Sequence, residues 1–250
     1  MPRYFLEVSY KGTLFSGFQV QENANSIHEE VEKAFAVYFR SPVSMTGSSR
    51  TDAGVHAQQN FLHFDFLGPI PPAALYHLNA ILPEDITLRN LYWTEPEGHC
   101  RFSATAREYH YYIYGRKDPF LRDRAYYYPY TLDLERLQLA ADLLRNHTDF
   151  SAFSKRNAQA KTGVCTLAKS LWQRWGEGYI YQVEANRFLR GMVRGLVGTM
   201  LLVGRGKLTL EELEALLRSK DSAKADFSVP AHGLFLVRVA YPPGMLRRIS

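Results

Sequence analysis

VSMTGSSRTDAGVHAQQNFLHFDF, residues 43–66, reads as two strands around a loop of very small residues. Residues 43–48 form the first strand, and the aromatic-rich NFLHFDF (60–66) forms the second. Between them Gly47, Ser48, Ser49, Ala53 and Gly54 surround one Arg and one Asp placed two positions apart. With Thr51 pointing one way along an extended loop, Arg50 and Asp52 point the other way together. Small neighbours let another backbone or a ligand come close. A carboxylate held charged there by a guanidinium is a ready nucleophile or base. The plainer alternative is an Asp-Ala-Gly turn with a local Arg50–Asp52 ion pair, and spacing alone leaves both open.

Outward from this stretch, helices and strands alternate. RYFLEVSY (3–10) is a strand closed by Gly12. Ser26 and Glu29 have capping-box spacing, and Ile27, Val31, Ala34, Phe35 and Tyr38 recur at helical intervals before Pro42. PPAALYHLNAIL (71–82) reads as a helix, ITLRNLYW (86–93) and RFSATAREYHYYIY (101–114) as strands, and RKDPFLRDRAYYYPY (116–130) as a long loop. A helix at 132–146 precedes a hairpin of VCTLAKSLWQRW (164–175) and GYIYQVEA (178–185) about the Gly176–Gly178 turn. An Arg-bearing helix in 188–204, a short helix capped by Thr209 and Glu212, and a final strand, GLFLVRVAYP (233–242), complete the chain. This order predicts an α+β fold of two similar halves with mostly antiparallel sheets packed edge to edge and helices on one face. Residues 1–105 carry the Asp52 loop; residues 106–250 carry the Arg-rich helix and the GLFL strand. The expected active cleft lies between the halves.

The 250 residues carry a net charge of +5, and 21 of the 30 basic residues are Arg. Arg grips phosphate oxygens bidentately and stacks on bases, which suits nucleic acid, although a general compositional bias toward Arg gives the same count. The two cysteines, Cys100 and Cys165, form no CxxC and fit a reducing compartment. Zinc binding by His99, Cys100 and Cys165 needs further ligands that no spacing supplies, so no metal is expected. The first residues lack the apolar core of a signal peptide, and Arg190 and Arg194 interrupt the most apolar segment. A cytoplasmic protein without membrane association is expected. VGRGKL (203–208) lacks the spacing and the Ser or Thr of a P-loop.

Six blocks, in one order across nearly the whole chain, carry a family resemblance. GSSRTDAGVHA (47–57) resembles the G-x-G-R-T-D-A-G-V-H-A signature of the tRNA pseudouridine synthases that modify the anticodon arm. YKGTLFSGFQVQ (10–21), RFSATAREYHYYI (101–113), DFSAF (149–153), FLRGMVRGLVG (188–198) and PAHGLFLVRVAY (230–241) resemble that family's other blocks. Ser48-Ser49 stands where the family more often has Ala-Gly, and Asn146 roughly where it has a glycine.

The resemblance implies conversion of uridine to pseudouridine, at positions 38, 39 and 40 of tRNA, by a homodimer without cofactor. It implies Asp52 as the catalytic nucleophile, whether through attack on the sugar, attack on the base or removal of a sugar proton. Arg194 is implied as the partner of that carboxylate, Tyr109 as the ring that stacks on the target uracil, and Leu234 as an apolar neighbour of the base. Arg50 either grips the phosphate backbone or buttresses the loop. Arg187, Arg190 and Arg194 fall on one helical face at i, i+3, i+7, beside a groove of Gly191, Gly195 and Gly198, with Leu189, Met192, Val193, Leu196 and Met200 on the buried side. Arg187 and Arg190 then bind substrate or form an ordinary wet face. Tyr111, Tyr112 and Tyr114 are expected in the core, and His56 to bond within its motif. Arg116, Lys117, Arg122, Arg124, Lys155, Arg156 and Lys161, interleaved with Tyr126 to Tyr128, are candidate RNA-backbone contacts. A glycosidic-bond hydrolase would need a second carboxylate, for which Glu7 and Asp65 are the candidates.

Overall fold

The computed structural model describes residues 1–155 and 162–249; Arg156 and Lys161 lie outside the described residues. The fold is α+β with mostly antiparallel strands, and the chain divides into two compact units. One comprises Met1–Thr105 with Phe235–Ser250, the other Ala106–Leu234.

In the first unit β1 (Arg3–Tyr10) lies between β3 (His56–Asp65) and β4 (Ile86–Thr94), antiparallel to both. The short β2 (Thr46–Gly47) pairs with β3. Helices α1 (Ile27–Phe39) and α2 (Ala74–Ile81) belong to the same unit. Alternation along β1 and β3 divides their side chains between two faces. One face places Phe64 against Tyr4 and against Phe35 of α1, ring centroids 5.5 and 5.2 Å apart. The other closes Phe5 and Phe61 around Tyr241, edge-on at 5.4 and 5.1 Å. Glu7 shares this second face, 8% exposed, and its carboxylate accepts from Gln59, Asn90 and Tyr92. Three donors make a buried carboxylate tolerable.

All of β9 (Leu234–Ala240) after its first residue belongs to the first unit, where His56 pairs with Phe235 and Ala57 with Leu236 in parallel register. The sequence reading assigned this strand to the second half. Parallel pairing with a strand so distant in sequence leaves no local mark, which accounts for the difference. β10 (Arg247–Arg248) adds to β4.

In the second unit β8 (Gly178–Ala185) lies antiparallel between β5 (Ala106–Tyr114) and β7 (Leu167–Trp175). Gly176 turns the β7–β8 hairpin at φ 54°. β6 (Tyr126–Tyr127), inside the segment read as loop, pairs with β5. Helix α3 (Leu134–Arg145) starts on Asp133, whose carboxylate accepts from two amides, and it packs on β7 through Gln138 and Trp172. The indole of Trp172 also donates to Met200 of α4 (Met192–Gly204). α5 (Leu210–Ser219) opens with a complete capping box, Thr209 to Glu212.

Several boundaries move for identifiable reasons. The strand expected at 43–48 is reduced to two residues; the Met45 amide instead donates to Glu32 of α1, at 2.8 Å. The strand expected from 101 begins at Ala106, because the Arg101 and Phe102 amides turn back onto His99 Nδ1. Ser26 caps α1, while the Glu29 carboxylate reaches Lys33 at 2.9 Å. No helix among the described residues is long and apolar enough to cross a membrane.

Candidate active site

In the first unit the Asp52 loop is held by its backbone and by its neighbours' side chains. The Ser48 amide donates to Phe61 O at 2.8 Å, extending the β2–β3 ladder by one rung. Beyond it the loop leaves the sheet, and Asn60, fully buried, follows it with its side chain. Asn60 Nδ2 donates to Ser49 O (2.9 Å) and to the Tyr10 hydroxyl (3.2 Å). That hydroxyl meets Thr51 Oγ1 at 2.8 Å. Thr51 therefore points inward, and the residues on either side face outward, as alternation requires. Arg50 is exposed and Asp52 half-buried.

A second segment braces the loop from outside. Phe18 N donates to Thr51 O at 3.1 Å, and Gly12 N donates to the His56 ring, also at 3.1 Å. Gly17 has φ 113°, and a Cβ there would stand 3.0 Å from Thr51 O, so the brace needs glycine for both torsion and clearance. Asp52 O accepts from Val55 N, closing the Asp-Ala-Gly turn. His56 thus bonds to the YKGTLF block, where the sequence had placed its partner in its own motif.

Among the described residues the Asp52 carboxylate takes part in no hydrogen bond and no ion pair, so the local Arg50–Asp52 pair is not formed. The two carboxylates considered as seconds are engaged elsewhere. Glu7 is held by its three donors, and Asp65 makes a bidentate pair with Arg3, both contacts at 2.8 Å. Among the described residues, the group of this unit whose atoms lie close enough to hold a metal ion, His63, His99 and Cys100, does not include Asp52.

In the second unit Gly191 is the N-cap of α4, with φ 73°. The helix starts at Met192, so Arg187 and Arg190 lie before it and share no helical face with Arg194. Arg187 is half-buried and Arg190 exposed. Leu189, Met192, Val193, Leu196 and Met200 are all buried, as expected. The glycine groove is filled by the chain's own segment 226–229: a Cβ on Gly195 would come within 2.7 Å of the Phe227 ring, and one on Gly198 would overlap the Asp226 carbonyl. This close approach brings two carbonyls to Arg194, whose Nε donates to Val229 O (2.8 Å) and Nη2 to Phe227 O (3.4 Å).

Tyr109, half-buried on β5, meets the Phe188 ring edge-on at 5.1 Å. Sequence reasoning passed over Phe188, although it opens the FLRGMVRGLVG block. Tyr111 is fully buried; burial raises its hydroxyl above the usual range, and it donates to Pro230 O at 2.7 Å. Tyr114 is also buried, but Tyr112 is only half-buried and packs edge-on against Trp175. Leu234 is 7% exposed. The DFSAF block folds as a 3-10 turn on Asp149, which accepts from the Ser151 amide and hydroxyl and pairs with Lys220 at 2.6 Å. Lys220 and then Ser151 hold the Asp149 carboxyl down at about 2. Phe153 of this turn packs beside Gly195.

Each unit therefore assembles the sequence blocks that fall within it. The first combines an outward carboxylate with a rigid loop. The second combines a restrained guanidinium, a half-buried tyrosine and a buried leucine.

The family model described as tRNA pseudouridine synthase matches residues 140–242. The chain is similar to tRNA pseudouridine synthase A of Parabacteroides distasonis, 42% identical over 244 residues and covering 97% of both chains. Similarity to the protein of the same name from Porphyromonas gingivalis is 39%, over 97% of this chain and 98% of that one. With the Bacillus subtilis protein it is 36%, over 94% and 97%.

Proposed function

The chain belongs to the tRNA pseudouridine synthase family, and from that premise we propose that it isomerises uridine in the anticodon arm of tRNA, with Asp52 as the nucleophile. The uridine N1–C1′ bond breaks, the uracil turns, and C5 joins C1′; N1 gains a proton and C5 loses one. Nothing is oxidised and no water is consumed, so the balance of the reaction calls for no cofactor.

The observation that carries this reading is the state of Asp52: half-buried, free of hydrogen bonds and ion pairs among the described residues, on a loop fixed by Tyr10, Thr51 and Asn60. A carboxylate without internal partners keeps its lone pairs for a substrate. Glu7 and Asp65 are committed to other donors, which favours isomerisation over a hydrolysis that needs a second carboxylate. In this reading Arg194, oriented by two carbonyls, is the partner of the catalytic carboxylate. Tyr109 stacks on the flipped uracil, with Phe188 behind it, and Leu234 forms an apolar wall. Arg50, Arg187 and Arg190 meet the phosphates. The same reading makes the enzyme a cytoplasmic homodimer acting at positions 38, 39 and 40.

The test uses unmodified tRNA tritiated at uracil C5, with protein alone. Tritium release that disappears with Asp52→Asn supports the isomerase. Binding without release points to a non-catalytic tRNA-binding protein, and free uracil points to a hydrolase; either overturns the proposal.

A further inference from the structure

Away from Asp52, β3 and the turn after β4 bring together His63, His99 and Cys100, whose ligating atoms lie within 4.8 Å of one another. His63 comes from 37 residues before Cys100, so no local spacing motif announces the group. His63 is 7% exposed and Cys100 fully buried. His63 Nδ1 and Cys100 Sγ are 3.1 Å apart, and the same sulfur is 3.0 Å from Thr46 O. The Cys100 amide also faces His63 Nδ1, at 3.4 Å.

Proton arithmetic among these atoms does not close. One S–H cannot serve both Nδ1 and the Thr46 carbonyl. If Nδ1 carries the ring proton and donates to sulfur, it confronts the Cys100 N–H donor instead. Each tautomer leaves one short contact with either no hydrogen or two. A cation relieves the His63–Cys100 contact, because it accepts lone pairs from nitrogen and sulfur alike.

We propose that His63, His99 and Cys100 form a binding site for a zinc-class cation, with solvent as the fourth ligand. Two imidazoles and a thiolate suit a borderline-soft ion in tetrahedral geometry. Binding forms a metal–sulfur bond at Cys100 and releases the thiol proton to solvent; both imidazoles bind as neutral donors. Tetrahedral zinc sets the nitrogen–sulfur distance near ~3.5 Å, so the His63–Cys100 contact opens by a few tenths of an ångström. A groove of about 600 Å³, whose lining includes Arg3, Ser44, Thr46, His63 and Asp65, gives solvent and ion a way in. His99 Nδ1 now accepts the Arg101 and Phe102 amides, at 3.1 and 3.4 Å. Ligation through Nδ1 displaces those amides, and ligation through Nε2 moves the ring proton onto Nδ1; both release them. The bound ion ties the 99–102 turn to β3, the strand that follows the Asp52 loop.

The experiment titrates cobalt(II), then zinc(II), into tag-free, chelator-stripped full-length protein. One cobalt per chain, with a thiolate-to-cobalt absorption band and the intense visible bands of tetrahedral coordination, is expected. The band persists in Cys165→Ala, which leaves Cys100 as the one sulfhydryl of the chain. In Cys100→Ser it vanishes and affinity falls at least about 100-fold, more than loss of an outer partner causes. Unchanged circular dichroism of the stripped Cys100→Ser protein separates this from misfolding. Faster hydrogen exchange at the Arg101 and Phe102 amides on saturation identifies His99 as a ligand. Absence of a thiolate band, uptake unchanged in Cys100→Ser, or amides unmoved by metal overturns the site.

Discussion

Asp52 and Arg194 are positioned by opposite means. The Asp52 side chain bonds to nothing among the described residues, and everything around it bonds: Thr51 to Tyr10, Ser49 to Asn60, the Asp52 carbonyl to Val55. Arg194 is restrained through its own guanidinium, by Val229 and Phe227 carbonyls that approach because Gly195 and Gly198 leave room. A nucleophile gains from having no internal partner, since each hydrogen bond to a carboxylate lowers its basicity. An arginine has donors to spare, and two bonds orient it without exhausting it. Altering Asp52 itself should therefore cost chemistry and little stability, whereas altering its neighbours should cost both.

The largest effect expected is that of Asp52→Asn, which should lower tritium release at least about 10⁴-fold. Its melting temperature and tRNA affinity should stay near those of the parent protein, and a large loss of stability would mean that the carboxylate has a structural partner after all. Arg194→Lys comes next, with kcat down by about 10²–10³-fold; a lysine cannot hold both carbonyls with a planar fork. Thr51→Val sharpens the contrast, because it removes one hydrogen-bond partner of the buried Tyr10 hydroxyl. Chemical denaturation should show a loss of about 1–3 kcal/mol, and kinetics should show kcat falling with KM nearly unchanged.

Lys220→Ala tests the DFSAF turn. The native Asp149 carboxyl is held down at about 2, so its contribution to stability is full above the ordinary carboxylate range and is lost as pH falls through about 2. The melting-temperature gap between parent and variant should be constant from neutral pH down to the ordinary carboxylate pKa, then close as pH falls toward 2. A gap independent of pH would assign the effect to packing. Tyr109→Phe should change least: the ring facing Phe188 remains, and filter binding should give a tRNA affinity within about twofold of the parent.

Local periodicity and turn chemistry made much of this architecture legible. The α5 capping box, the Gly176 hairpin and β1 are read directly from adjacent residues. Long-range hydrogen bonds were not legible. Nothing near Met45 announces Glu32, and nothing in GLFLVRV says which sheet it joins. The start of α4 was misread for another reason. The arginines at 187, 190 and 194 fit a helix, but Gly191 in the left-handed region caps it, and it starts only at Met192, beyond the first two. At the site the residues were found by block resemblance, while the hydrogen bonds that orient them could be seen only in three dimensions.

The placement of β9 bears on how this protein is made. Residues 235–240 flank β3 where it leaves the Asp52 turn, and Val239 N donates to Gln59. On the ribosome those residues emerge only after the whole of the second unit. Throughout translation of the second unit, the His56–Gln59 border therefore stays open beside a loop already containing the nucleophile. A nascent chain should bind chaperones there, and catalytic competence should arrive only once β9 has been made.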